Sequence, residues 1–280
     1  FFWRPRFFCT SPHRSYVECF GYEKKLYAIR EISEITGVKP VTLRAWQRRY
    51  SLVQPQRTEK GHRLYTDEHI ALIGEIQGWL SKGVPIGKVK DVLESNEPNK
   101  GEEYLASEQL DEVSAFLQAL AELNKGKADS IVATVFKEYP LDVVQRQFVK
   151  PAEKALSVVK IGLRALQKGL MESIFVARLN AIIESENKAA KSGKCLFINY
   201  DSVNIHARLW ALHLSESGKS LVIIDGVEDL SGLVEHEGLS VYAAIAIYSS
   251  RPLTAGQTAT VEKIKSSFPG EVLLSDLIET

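Results

Sequence analysis

Cysteine is scarce in these 280 residues: Cys9, Cys19 and Cys195 form no CxxC pair and no Cys/His ligand spacing. That excludes a disulfide framework and a zinc site, and it fits free thiols in a reducing cytoplasm. Long apolar runs are missing as well. A membrane helix needs about eighteen apolar residues or more, whereas the longest candidates, such as 241–248, have the length of a strand, so no membrane span is predicted. Neither GxGxxG nor GxxxxGKS/T occurs, and no nucleophile–base pair stands out, so neither a nucleotide site nor an enzyme is indicated. Net charge is absent too, with 35 Lys and Arg against 35 Asp and Glu, which argues against a uniformly basic nucleic-acid binder. What remains is an ordinary globular composition, 45% hydrophobic and 25% charged, with enough chain for two or three domains.

The neutral total is a sum of unlike segments. Between Lys39 and Tyr65, seven cations (Lys39, Arg44, Arg48, Arg49, Arg57, Lys60, Arg63) face Glu59 alone, a local charge of +6. Residues 194–280 carry six Lys and Arg against eleven Asp and Glu, a charge of −5. A concentrated basic patch on an acidic body is the footprint of a surface that meets a phosphate backbone.

Patterning divides the chain into five parts. Residues 1–25 mix aromatics, arginine and proline without period and read as a poorly ordered extension; Arg4, Pro5 and Arg6 interrupt any signal-peptide core. Residues 26–94 carry short helical repeats. Ile29, Ile32 and Ile35 share a spacing closed by Gly37, and Pro40 reopens a helix with Leu43, Trp46 and Tyr50 inward and Arg44, Gln47 and Arg48 outward. Two short helices around a glycine turn describe a helix-turn-helix. The following stretch, 51–65, reads as a β-hairpin wing turning at Glu59-Lys60-Gly61. Thr66 or Asp67 caps a further helix, and residues 86–93 form another. Residues 95–106 read as a linker. Residues 107–191 carry four helical segments, 107–124, 127–138, 140–165 and 167–190, the first opened by Ser107 and Glu108. Those four predict a four-helix bundle. Residues 192–280 alternate apolar strands (194–200, 220–225, 241–249, 271–275) with helices at 204–217, 228–236 and 256–267. That pattern predicts a small doubly wound, Rossmann- or flavodoxin-like α/β domain with a parallel sheet.

The stretch Thr42-Leu43-Arg44-Ala45-Trp46-Gln47-Arg48-Arg49-Tyr50, then Pro55-Gln56-Arg57-Thr58, then Gly61-His62-Arg63-Leu64-Tyr65 resembles the recognition helix and wing of the MerR family of transcriptional regulators. The Ala-Trp pair, Arg-Arg-Tyr and Gly-His-Arg-Leu-Tyr are similar to the subgroup holding the MlrA-like regulators and the cobalamin-dependent light-sensing repressors. In that subgroup a winged helix precedes a helical bundle and a Rossmann-like domain. The resemblance implies that Thr42, Arg44, Arg48 and Arg49 lie on a helix in the major groove, with Arg57, His62, Arg63 and Tyr65 on the flanking backbone. It also implies a homodimer on an inverted repeat of double-stranded promoter DNA, with RNA polymerase as a further partner.

The cobalamin-binding relatives share an Asp-x-His-x-x-Gly loop after the first strand. Here Asn204-Ile205-His206-Ala207-Arg208-Leu209 corresponds to it: His206 is retained as a candidate ligand, while Asn replaces Asp and Leu replaces Gly. The carboxylate that would support the histidine and the space for the corrin tail are both gone. Residues 160–180 contain neither His nor Trp, and Pro269-Gly270 stands where a Gly-Gly loop is usual. The expectation is a chain without cobalamin or metal, whose residues 107–280 serve as an interaction and dimerisation module. The alternative is a regulator in which cobalamin or another small molecule gates oligomerisation. Ser249-Ser250-Arg251 is a weaker anion-site candidate at a strand end. Asp201 and Asp225 read as turn or cap residues.

Overall fold

A computed structural model describes residues 25–95, 109–234 and 236–279. All but the last residue of the extension expected over residues 1–25, nearly all of the linker, the Ser107–Glu108 helix start, Cys9 and Cys19 lie outside the described residues.

A two-residue strand, β1 (Tyr27–Ala28), leads into α1 (Ile29–Thr36). The Glu31 carboxylate accepts the Ala28 N–H at 2.6 Å, occupying a donor that a helix start leaves free. Gly37 ends α1 at φ 70°, a conformation glycine adopts cheaply, and its N–H returns to the Ser33 carbonyl at 2.9 Å. Pro40 opens α2 (Pro40–Ala45), and a wide π turn, Trp46–Tyr50, prolongs it. Of the three residues expected inward, Leu43 and Trp46 are buried and Tyr50 is half-buried. Ile35 departs from the expected stripe and is exposed.

Strands β2 (Gln56–Arg57) and β3 (Arg63–Tyr65) make the hairpin wing, with Gly61 at φ 80° in its turn. Strand β1 pairs with β3, Tyr27 opposite Tyr65, giving a three-stranded order β1-β3-β2. This third strand went unread because two residues show no alternation. Helices α3 (Asp67–Ser81) and α4 (Ile86–Glu94) follow, with Thr66 before α3 and its N–H donated to His69 Nδ1 at 3.0 Å.

The bundle comprises α5 (Glu112–Ala121), α6 (Lys125–Glu138), then α7 (Leu141–Val144) running through a wide turn, Gln145–Val149, into α8 (Lys150–Ser157), and α9 (Ile161–Ala189). Phe116, Phe148 and Phe175 fill its centre with ring centroids 5.1 to 6.0 Å apart. The break between the last two long segments falls at 158–160 and not at 166. Val158 and Ile161 carry the apolar spacing across that break, yet they are 84% and 82% exposed. Apolar periodicity there marks surface.

The last body is a parallel sheet of β4 (Lys194–Asn199), β5 (Ser220–Asp225), β6 (Ala244–Tyr248) and β7 (Glu271–Leu274) in the order β5-β4-β6-β7. Helices α10 (Ile205–Glu216) and α11 (Ala255–Ser267) cross between strands, and α12 (Asp276–Glu279) follows β7. Alternation along β4 feeds two cores. Cys195 and Phe197 join the large core shared with the bundle and the N-terminal helices and wing, while Leu196, Ile198 and Tyr200 pack with Val261, Ile264 and Phe268 under α11. Cys195 is a free thiol whose burial pushes it up to about 11.

The helix expected over 228–236 is replaced by two 3-10 turns, Ser231–Leu233 and Glu237–Val241. Gly232 and Gly238 disfavour helix there, and the Asp229 carboxylate takes the Ser231 N–H at 2.8 Å, a local bond that competes with helical pairing. Without that helix, Val222 and Ile224 on the edge strand stay exposed.

Candidate nucleic-acid interface

The burial of Leu43 and Trp46 fixes the roll of α2, and the roll decides which cations face solvent. Arg44 and Arg48, one turn apart, are exposed, and Arg48 Nε donates to the Arg44 carbonyl at 3.4 Å. On the wing, Arg57, Lys60 and His62 are exposed and Arg63 is half-exposed. Arg63 Nε donates to Gln47 Oε1 at 2.7 Å, so the wing strand is tied directly to the reading helix. Gln47 is thus a structural link across the interface that charge alone did not single out. Arg44, Arg48, Arg57, Lys60 and Arg63 are cations with no acidic partner among the described residues. This surface presents five guanidinium or ammonium groups and one imidazole from a helix and a hairpin packed on one core.

Three of the expected contacts are placed differently. Thr42 is only 4% exposed, because its side of α2 packs against α6 of the bundle. Tyr65 has no exposure at all: its ring meets His69 edge-on at 5.8 Å, its hydroxyl has no hydrogen-bond partner, and burial raises its pKa. Neither side chain reaches the surface, so both belong to the core. Arg49 is half-exposed, but its guanidinium pairs with the buried carboxylate of Glu138 at the end of α6.

Glu138 gathers the end of the reading helix. Its Oε2 accepts the Tyr50 hydroxyl at 2.5 Å, its backbone carbonyl accepts Trp46 Nε1–H at 2.8 Å, and its side chain is 1% exposed. Burial, and then the nearby Glu112 carboxylate, hold the Tyr50 hydroxyl above its usual pKa, so it remains a donor. Gln147 from the bundle adds a bond to the Leu80 carbonyl at 3.1 Å. No spacing in the sequence could announce Glu138, which lies 88 to 92 residues from its partners.

At the other end of the chain, His206 lies on the first turn of α10, exposed, with Nε2 2.9 Å from Glu153 of the bundle. That hydrogen bond holds its pKa above the usual histidine value, against the opposing effect of burial. Asn204 spends its side-chain oxygen on the Ala207 N–H at 2.8 Å as the helix cap, and Leu209 is buried. Arg208, only 4% exposed, grips Asp225 with two bonds of 2.9 and 2.6 Å and Asn180 with a third of 2.6 Å. Burial alone would raise the Asp225 carboxyl, but the bonds from Arg208 and Asn199 outweigh it and hold it below the usual carboxylate range. Asp201 accepts the Ser250 N–H at 2.6 Å, and the Ser249 hydroxyl bonds the Arg251 carbonyl at 2.7 Å. The candidate anion loop thereby satisfies itself, and both aspartates are partners in specific contacts rather than simple turn residues. Among the described residues, no cluster of three or more His, Cys, Asp and Glu side chains could hold a metal, and no helix is long and apolar enough to cross a membrane.

Residues 27–96 match the family described as MerR HTH family regulatory protein. The transcriptional regulator MlrA of Salmonella typhimurium LT2 is 31% identical over 66% of this chain and 73% of its own length. MlrA of Escherichia coli K12 is 33% identical with the same coverage. The transcriptional repressor CarH of Myxococcus xanthus is 34% identical over 25% of this chain and 23% of its own. A solved cobalamin-binding protein from Desulfitobacterium hafniense aligns over 60% of this chain and 85% of its own at 13% identity, with a TM-score of 0.24, too low to bear on the fold. The winged helix and the match to most of MlrA meet in one conclusion: the chain belongs to the MerR family of helix-turn-helix transcriptional regulators.

Proposed function

We propose that two copies of this cytoplasmic chain bind an inverted repeat in promoter DNA, each inserting α2 into the major groove and laying its wing on the flanking backbone. Arg44 and Arg48 read base edges, since a guanidinium bonds guanine bidentately. Arg57, Lys60, His62 and Arg63 set the register on phosphates. The observation that carries this reading is the group of unpaired cations on one helix and one hairpin, braced by the Arg63–Gln47 bond. RNA polymerase is the protein partner through which the bound dimer acts, and no catalytic step is involved.

Cobalamin does not fit the residues present. The His206 nitrogen is held by Glu153, Asn204 supplies no carboxylate behind it, and Leu209 fills the place of a glycine. The reading is therefore a regulator that works without that cofactor.

The test uses inverted-repeat DNA selected by the full chain from a random pool. Sedimentation of the complex should give two chains per duplex. A single chain per duplex, with undiminished affinity for an isolated half-site, contradicts the dimer.

A further inference from the structure

A cavity of about 590 Å³ lies where the three bodies meet, away from the C-terminal edge of the sheet. Its walls are Gly37, Val38, Lys39, Val41 and Thr42 from the turn and start of α2, Gln77 of α3, the end of α6, the start of α7, the C-terminal half of α9 and the end of α10. Its volume falls inside the range of about 300–1,000 Å³ that small-molecule sites occupy. The lining is mostly apolar: Val41, Phe136, Leu141, Ile182 and Leu212 make the body of the hollow, and Val41 is 41% exposed for lack of a covering group.

The polar groups at its rim divide by sign. Every acid is committed: Glu186 and Glu216 both pair with Lys39 at 3.1 Å, and Asp142 pairs with Arg146 at 3.2 Å. Donors are left over. Among the described residues Lys137 has no acidic partner, and His213 is exposed with no bond. Arg178 reaches Asp129 through Nη2 at 2.6 Å while its buried Nε has no partner. An apolar hollow whose acids are all paired, with the Lys137 ammonium and the buried Arg178 Nε left over, favours a ligand with an apolar body and an anionic end.

We propose that this interdomain cavity binds an amphipathic carboxylic acid, its carboxylate at Lys137 and its hydrocarbon against Phe136, Leu141 and Ile182. The ligand would touch the reading helix, the bundle and α10 at once, so its occupancy ties the orientation of the reading head to the body. The proposal goes beyond the DNA-binding reading and stands without it, because binding is measured in the absence of DNA.

Decanoate and the uncharged 1-decanol are the probes, titrated calorimetrically into the 280-residue chain. Decanoate should saturate at one per chain, and decanol should bind at least about fivefold more weakly. Ala181→Trp, which fills the hollow from the exposed side of α9, should weaken decanoate about tenfold or more with an unchanged melting temperature. Lys137→Glu, at an exposed position that does not support the core, should also weaken it about tenfold. No saturable decanoate binding overturns the proposal, as does an Ala181→Trp chain that melts like the parent and binds like it. Equal affinity of Lys137→Glu and the parent overturns the assignment of the anionic end.

Discussion

Replacing Arg44 and Arg48 together by alanine should lower affinity for the selected operator about a hundredfold or more, because each well-placed guanidinium contributes about 1–3 kcal/mol of base discrimination. Both side chains are exposed and neither is paired with an acid, so their loss leaves the core of the reading head intact. The melting temperature should be unchanged within about a degree or two, since surface substitutions rarely exceed about 0.5 kcal/mol. The pattern across sequences separates reading from docking. The double variant should lose most of its preference for the operator over random DNA, whereas Lys60→Ala, a wing cation, should weaken both by a similar factor. Fluorescence anisotropy with labelled operator and scrambled duplex measures all three. A double variant with full operator preference would place the reading residues elsewhere.

Trp46→Ala carries the largest expected effect on stability, about 3–5 kcal/mol. Trp46 has no exposed surface, and its indole N–H is the bond that fastens the reading helix to the Glu138 carbonyl at 2.8 Å. Truncation opens a cavity in the core that the N-terminal helices share with the bundle and leaves that carbonyl unpaired, a loss of about 1–3 kcal/mol in its own right. Urea unfolding followed by far-UV circular dichroism should show the reading head separating as an early transition. Glu138→Gln gives the contrast. It keeps the backbone carbonyl and the packing while removing the charge that holds Arg49, so the fold should survive and Arg49 should become free for DNA. If Trp46→Ala unfolds at the same urea concentration as the parent, the bond between reading head and bundle is not what holds them together.

The parts of the molecule legible in the sequence are those whose signal is local. Gly37 and Pro40 bracket the turn of the helix-turn-helix, each through its own backbone constraint. The strands 194–199 and 244–248 announce themselves as continuous apolar runs, because the parallel sheet buries both of their faces. Arg44, Arg48, Arg57, His62 and Arg63 could be placed on the surface because Leu43 and Trp46 fix the roll of the helix and Gly61 fixes the turn of the wing. Thr42 and Tyr65 could not, since their burial depends on α6 and β1, elements distant in sequence. The pairing of Arg49 with Glu138 was equally invisible: a basic run reads the same whether its members face solvent or a buried carboxylate on another domain. Apolar periodicity failed at Val158 and Ile161 for the opposite reason, since there the spacing is helical but no neighbour covers it.

The neutral total charge acquires a structural meaning from these placements. Seven cations occupy the stretch from Lys39 to Tyr65, yet two of them are turned inward to partners on the body: Lys39 binds Glu186 and Glu216, and Arg49 binds Glu138. The rest face outward from helix and wing. Part of the basic segment thus secures the reading head to the acidic body, and the remainder is left for phosphates and bases.

Operator binding measured across salt tests the central claim most directly. A dimer that neutralises several phosphates with the exposed cations of each copy should lose about a hundredfold or more in affinity between roughly 50 and 200 mM salt, with a straight fall of log K against log salt. Arg57→Ala and Arg63→Ala together should make that slope visibly shallower, by about one for each phosphate of the duplex that the variant no longer neutralises. An affinity independent of salt, or a slope the double variant leaves untouched, would contradict the assignment of this surface as the DNA-binding face.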